Sequence, residues 1–316
     1  MRVIFMGSPD FAVPTLDALL GDPEFDVVQV VTQPDRPKGR GKKLTATPVK
    51  TRALESGVPV VAMTKSDYAH VASEIAAWEP DFVVVAAFGV ILKSDILGTP
   101  RYGCVNLHAS LLPKYRGVSP VQAAILAGDR VTGCTTMLMD AGVDTGDMLL
   151  TDRVVIEPDD TAGSLEKKLA AVGAPLVLET LRGLQDGTVS PRKQDADLAT
   201  YTKKIKKQHG AIRWSDSAER IARLVRAMSP WPTAYTSFEG KRLIILEGAV
   251  RPGGSPAAAP GTILATAPLA VATGSGVFVV SRVKVEGKRE TPAAAFAAGY
   301  RVTVGDRLGG AEDDEE

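Results

Sequence analysis

Asn106 and His108 stand two residues apart in the stretch Cys104-Val105-Asn106-Leu107-His108-Ala109-Ser110-Leu111-Leu112-Pro113-Lys114-Tyr115-Arg116-Gly117. Val105, Leu107 and Ala109 alternate with Cys104, Asn106 and His108, and a period of two puts each set on its own face of a strand. The amide and the imidazole therefore point the same way, roughly 7 Å apart along the backbone. Together they can reach one small polar group, the amide as hydrogen-bond donor and the imidazole as donor or proton carrier near neutral pH. Asn106 is the only asparagine of the chain, and His108 is one of three histidines. A lone asparagine and a satisfied core histidine can share a strand by chance. Two such groups on one face, at a strand end followed by a Pro/Gly loop, favour a ligand site, because open parallel sheets bind ligands at the carboxyl ends of their strands.

A carboxylate for that imidazole stands further on. Asp140-Ala141-Gly142-Val143-Asp144-Thr145-Gly146-Asp147 packs three aspartates and two glycines into eight residues. A surface turn and a metal loop both suit that composition, but no glutamate closes it at the EF-hand distance. A loop that brings one carboxylate to His108 would orient the ring and stabilise its cationic form. Asp144, flanked by glycine turns, is the candidate.

The elements that must position these groups read as a parallel α/β sheet. Arg2 to Gly7 and Asp26 to Val31 are apolar strands. Between them Phe11 to Leu20 reads as a short helix with Asp10 as N-cap, beginning a residue or two later if Pro14 is to sit in its first turn. Val58 to Ala62 is a third strand, Tyr68 to Trp78 a helix, and the Val/Ala run from Asp81 to Ala87 a central buried strand. Phe88 to Ile91 turns at the same sheet edge as the end of the Asn106 strand. A helix over 119–127, a strand over 132–139 and a long amphipathic helix over 162–184 follow. The opening strand-helix-strand order argues for a doubly wound, mostly parallel sheet.

Several function classes are excluded. The first strand runs into Gly7-Ser8-Pro9-Asp10, not the dinucleotide fingerprint. Gly39-Arg40-Gly41-Lys42 is followed by Lys43 instead of Ser or Thr, and Arg36 occupies the place of the first P-loop glycine. With 316 residues, 45% hydrophobic and 23% charged, the chain has an ordinary globular composition. It shows no signal-peptide pattern and no apolar stretch of about 18 residues, so no membrane partner is expected. Cys104 and Cys134 suggest no disulfide framework and fit a reducing cytoplasm. Three histidines and two cysteines at these spacings make no metal ligand set.

Formal net charge is zero, so any nucleic-acid binding must come from local patches. One is available: Thr32 to Lys43 reads as a long exposed loop, and Arg36 to Arg52 carries seven basic residues and no acidic one. A solvated face explains such a run as well. Its position after the second strand, on the edge shared with Asn106, suggests a phosphate-rich partner. Polar residues 188–197 lead into Tyr201-Thr202-Lys203-Lys204-Ile205-Lys206-Lys207, a second basic cluster. Beyond a helix over 217–228, short runs over 234–238, 242–247, 261–265 and 277–285 with Gly/Pro turns suggest a small barrel. Residues 310–316 form an acidic tail expected to be disordered.

Asn106-x-His108, Ser110-Leu111-Leu112-Pro113 and Asp144 together resemble the folate-dependent formyltransferase family. Those motifs do not choose among its members, which act on glycinamide ribonucleotide, sugar nucleotides or methionyl-tRNA, with formyltetrahydrofolate hydrolases as relatives. Thr32-Gln33-Pro34-Asp35-Arg36-Pro37 with Gly39-Arg40-Gly41-Lys42-Lys43 is similar to the tRNA-contacting loop of the branch acting on methionyl-tRNA. Ser229-Pro230-Trp231-Pro232 and Pro260-Gly261-Thr262-Ile263 are similar to its C-terminal half. Ser229 stands for the family's Asn, and Gly117-Val118-Ser119-Pro120 for its Gly-Ala-Ala-Pro.

The resemblance implies a Rossmann-like catalytic part over 1–187, a linker over 188–206 and an OB-like β-barrel over 207–316 that binds tRNA. It implies 10-formyltetrahydrofolate as co-substrate, no metal, initiator methionyl-tRNA as acceptor, and a cytoplasmic monomer without a stable protein partner. Phe88, Gly89, Ser110, Leu111, Leu112, Pro113, Asp140 and Val143 would flank the folate. Arg36, Arg40, Lys42, Lys43 and Lys207 would meet the tRNA. Asn106 and protonated His108 would donate to the oxygen of a tetrahedral intermediate, with Asp144 holding the ring.

Overall fold

The computed structural model describes residues 1–38, 43–64, 66–254 and 257–309. The chain forms two compact units: Met1–Pro120, Val131–Val155 and Glu166–Lys203 make the first, and Val121–Arg130, Ile156–Leu165 and the chain from Lys204 onward make the second.

The strands of the first unit are β1 (Arg2–Gly7), β2 (Asp26–Thr32), β3 (Arg36–Lys38), β4 (Lys43–Thr45), β5 (Val60–Ala62), β6 (Phe82–Ala86), β7 (Cys104–His108), β8 (Arg116–Gly117), β9 (Val131–Leu138), β10 (Met148–Val155) and β11 (Tyr201–Thr202). The helices up to its end are α1 (Val13–Gly21), α2 (Pro48–Glu55), α3 (Tyr68–Ala77), α4 (Ser94–Leu97), α5 (Pro120–Ala127, counted almost wholly with the second unit) and α6 (Ala162–Asp186). Seven strands form one sheet in the order β10-β9-β7-β6-β1-β2-β5. From β7 to β5 every pairing is parallel, whereas β9 is antiparallel to β7 and β10 to β9. The parallel strands are continuous apolar runs because both faces are covered. Ile4, Met6, Val83, Val85 and Cys104 pack with α3 residues Val71 and Ile75 on one face. On the other face Leu107 lies where a side chain on Gly173 of α6 would be, 2.6 Å from the Cβ position. Asn106 and His108 continue the Cys104 face to the carboxyl edge of the sheet.

Three local readings are corrected. Asp10 does not cap α1: it starts a 3-10 turn over Asp10–Ala12, and α1 begins at Val13 with Pro14 in its first turn and no side-chain cap. The stretch after β2 is not plain loop, since β3 and β4 pair antiparallel as a ribbon. It leads into α2, whose Thr47 cap accepts from Lys50 N at 3.1 Å. β10 is an additional edge strand with a half-exposed pattern. Both cysteines are free and buried, and burial pushes each thiol up to about 12.

The second unit is an antiparallel sheet wrapped into a barrel. α7 (Ala218–Ala227), capped by Ser217, precedes β12 (Ala234–Phe238), β13 (Lys241–Arg251), β14 (Ile263–Thr266), β15 (Leu269–Ala272), β16 (Val277–Val285), β17 (Thr291–Pro292) and α8 (Ala293–Gly299). The order is β12-β13-β16-β15-β14, with β17 on β16. The last described segment closes the gap between the two outer strands. Ile263 N donates to Asp306 O at 2.8 Å, Leu308 N to Gly261 O at 2.9 Å, and Gly309 N to Ser237 O at 2.8 Å. Its core gathers Trp214, Ile221, Leu243, Phe278 and Phe296. The expected strand over 242–247 is longer than its apolar run, and β15 and α8 come in addition to the expected elements. The acidic tail lies outside the described residues.

Candidate active site

Because β1, β2, β6 and β7 run parallel, their carboxyl ends lie along one edge, and the turns after them share it. His108 ends β7 there, paired with Thr135 of β9. Asn106 and His108 are 8% and 6% exposed. The Asn106 amide makes no hydrogen bond to a described side chain, although a nearly buried amide ordinarily has a partner. It is therefore free to meet a ligand oxygen.

The His108 ring is held from both sides. Nε2 lies 3.0 Å from the carbonyl oxygen of Tyr115. A carbonyl only accepts, so Nε2 carries the proton, and the neutral ring has its lone pair on Nδ1. Nδ1 lies 3.7 Å from Asp144 Oδ2, whose side chain is 18% exposed. The aspartate loop leaves β9 beside Val105, upstream of His108 on the paired strand, and doubles back to reach the ring. Gly117 N donates to the same carboxylate oxygen at 2.7 Å. Asp144 sits at φ 53°, a left-handed conformation that costs a non-glycine residue about 1–2 kcal/mol. Gly146 permits the loop's return, since a Cβ there would lie 1.7 Å from Leu138 O.

The expected folate-flanking residues divide into two groups. Ser110 is fully buried and its hydroxyl donates to Lys114 O at 2.6 Å, so it shapes the turn. Leu112 N donates to Thr135 Oγ1, which in turn donates to Ser110 O. The Phe88 ring belongs to the core, 2% exposed, and its carbonyl accepts from Gln33 Nε2 at 2.7 Å. Asp140 spends Oδ1 on Gly142 N and Thr145 Oγ1, which folds the loop. Phe88, Ser110 and Leu112 thus offer little side chain to a ligand, whereas Asp140 is exposed. Gly89 and Val143 are exposed, Leu111 and Pro113 partly so.

Of the cationic residues, Arg36 is exposed and donates to Gln33 Oε1 at 2.7 Å. Gln33 thus joins the ribbon to the Phe88 turn. Arg40 and Lys42 lie outside the described residues, as does the side chain of Lys43. Lys207 begins an exposed 3-10 turn of the second unit. Among the described residues no group of three His, Cys, Asp or Glu side chains is arranged to hold a metal ion, and no helix is long and apolar enough to cross a membrane.

The polar stretch after α6 supplies groups that the motifs do not single out. β11 pairs in parallel with β8, Tyr201 opposite Arg116 and Thr202 opposite Gly117. Thr200 Oγ1 accepts from Tyr115 N at 2.8 Å, and Thr202 Oγ1 accepts from Ser119 N at 3.1 Å. Gln194 Nε2 donates to the main-chain oxygens of Asp144 and Gly146 at 2.9 and 2.7 Å. Only a Gln among charged neighbours marks this contact in the sequence.

Comparison with known proteins identifies the family. Residues 1–181 match the formyl transferase family and residues 204–301 the formyl transferase C-terminal domain. The methionyl-tRNA formyltransferase of Roseiflexus castenholzii is 49% identical over 98% of this chain and 99% of its own. That of Geobacter metallireducens is 45% identical over the same shares. Among solved structures, an N-formyltransferase from Helicobacter canadensis in complex with folinic acid and dTDP-3-aminofucose has the same fold, with a TM-score of 0.64 at 18% identity over 89% of this chain and 99% of that one. HypX from Aquifex aeolicus in complex with tetrahydrofolic acid has a TM-score of 0.62 at 16% identity, over 96% of this chain and 48% of that one. With both halves matched and full-length relatives of this identity, the chain belongs to the methionyl-tRNA formyltransferase family.

Proposed function

We infer that this enzyme transfers the formyl group of 10-formyltetrahydrofolate to the α-amino group of methionyl-initiator tRNA, giving formylmethionyl-tRNA for translation initiation. The observation that carries the reading is the convergence of Asn106, His108 and Asp144 at one sheet edge in a chain matched over its whole length by this family. When bound, the folate supplies an activated formyl carbon beside a nitrogen leaving group. The side chains present suit that acceptor–donor pair: an amide without a partner among the described residues for the formyl oxygen, and an imidazole whose Nδ1, 3.7 Å from Asp144, can take a proton.

The division of labour follows from the hydrogen bonds. Asn106 donates to the formyl oxygen as negative charge builds there, and such a donor typically contributes a factor of about 10² to 10³. His108 does not share that task in its neutral form, because its one N–H is taken by Tyr115. This shifts the role expected for a protonated ring. Nδ1 takes the proton that the attacking amine sheds, and the new N–H faces Asp144. The carboxylate holds the cation until the proton passes to the departing nitrogen. No covalent enzyme intermediate is required, since amine and formyl carbon meet by proximity.

The exposed Gly89, Val143, Leu111 and Pro113 are the folate contacts we propose, with Phe88, Ser110, Leu112 and Asp140 shaping the wall behind them. Arg36, Arg40, Lys42 and Lys43 neutralise acceptor-stem phosphates, and Lys207 meets the tRNA from the second unit. The catalytic part drawn over 1–187, the stretch 188–206, whose Gln194 and Thr200 to Thr202 brace it, and the tRNA-binding barrel from 207 act as one monomer in the cytoplasm. The test is transfer of labelled formyl from 10-formyltetrahydrofolate to initiator methionyl-tRNA. Formate release without an acceptor, or tRNA binding without transfer, would overturn the reading.

A further inference from the structure

We propose that Gln194 is a positioning residue for the reaction, holding the Asp144 loop in its catalytic conformation from the stretch beyond α6. The inference rests on the reading of Asp144 as the partner of His108 given above. Its ground is a hydrogen-bond network of five residues, Tyr201, Arg116, Gln194, Asp144 and Gly146. Gln194 Nε2 donates to two carbonyls of the loop, Asp144 O at 2.9 Å and Gly146 O at 2.7 Å. Gln194 Oε1 accepts from Arg116 Nε at 3.0 Å, and Arg116 Nη1 donates to the Tyr201 hydroxyl at 3.0 Å.

The direction of the Gln194 amide is not arbitrary. Arg116 can only donate and the two carbonyls can only accept, so one orientation satisfies every group. Arg116 is 5% exposed and meets no carboxylate among the described residues, so the Gln194 oxygen and the Tyr201 hydroxyl together stabilise a buried guanidinium. The loop needs this clamp. Asp144 is held at φ 53°, a conformation that persists only where its surroundings over-determine it. Among the described residues the carboxylate accepts one hydrogen bond, from Gly117 N, and it stands 3.7 Å from Nδ1. Arg192 exchanges two 2.8 Å main-chain bonds with Met148, which fixes the Gln194 backbone beside the loop. Freed of its two amide bonds, the loop relaxes and the carboxylate leaves the ring, and a misplacement of about 1 Å can cost as much as 10²-fold in rate.

The experiment uses the full-length enzyme with Gln194→Ala, Gln194→Glu and Asp144→Asn, alone and combined. Gln194→Glu keeps size and the bond to Arg116, but replaces the donating amide with an oxygen facing two carbonyls. Both Gln194 variants should lower kcat about 10- to 100-fold, leave KM for tRNA near the wild-type value, and add no further loss of kcat in the Asp144→Asn background. Wild-type kcat in Gln194→Glu would overturn the proposal, as would a loss that multiplies with that of Asp144→Asn. If Asp144→Asn alone is fully active, the reading of the catalytic carboxylate fails and this inference with it. If Asp144→Asn is impaired while both Gln194 variants are normal, only this inference fails. Should Gln194→Ala fold poorly by circular dichroism, Gln194→Glu, which retains the bond to Arg116, decides.

Discussion

Replacing Asp144 by asparagine isolates a single charge. The amide keeps an oxygen for Gly117 N, and the main-chain bonds from Gln194 do not involve the side chain. What disappears is a negative charge 3.7 Å from Nδ1, which at an effective dielectric constant of about 20 attracts a unit positive charge by about 4.5 kcal/mol. The carboxylate is partly open to solvent, and doubling the dielectric constant to about 40 leaves about 2 kcal/mol. In the proposed mechanism the ring turns cationic as it takes the amine's proton, so this attraction acts on the reacting state and not on substrate binding. A loss of about 2 to 4 kcal/mol corresponds to a fall in kcat of about 30- to 1000-fold, with KM for both substrates little changed. Single-turnover transfer of labelled formyl to methionyl-tRNA reads the chemical step directly. A rate within about three-fold of wild type would show that the carboxylate does not serve His108 in catalysis.

Asn106→Ala should lower kcat by about 10² to 10³ in the same assay without unfolding the chain, because the amide has no described partner to orphan. Arg40→Ala is expected to weaken tRNA use, reduce the slope of log affinity against log salt by about one, and leave folate binding intact in a titration. Glu166→Gln should change stability with pH. Burial first, and then the nearby Asp10, raise the Glu166 carboxyl above its ordinary 4.5. The stability associated with the protonated form is complete below the unfolded value and is lost as pH rises through the folded one. Thermal unfolding should therefore show Gln above wild type at pH 7 and level with it near pH 4.

The proposed catalytic trio was legible because polar groups interrupted an apolar strand with period two, and because glycines bracketed one aspartate. Strand alternation puts Asn106 and His108 on the face of Cys104, and the Asp144 carboxylate lies 3.7 Å from the His108 ring. The parallel order of the sheet was legible for a similar reason, since a buried strand must be an apolar run. What escaped the sequence depends on pairing at long range. β8 and β11 are two residues each and have no periodicity to detect. β10 is an edge strand whose exposed half breaks alternation, and the β3–β4 ribbon pairs Arg-Pro-Lys with Lys-Leu-Thr, three residues each. The Phe88 turn was correctly placed, but an aromatic beside a glycine gave no sign that its ring faces the core.

The late arrival of β11 has a consequence for how the enzyme is made. All seven strands of the main sheet are complete by Val155, yet the loops that frame His108 are sewn down by Gln194 and by Thr200 to Thr202. A nascent polypeptide whose sheet has already folded therefore still has an unlocked centre while those residues remain in the ribosomal tunnel. The machine that consumes the enzyme's product also decides, residue by residue, when the enzyme is switched on.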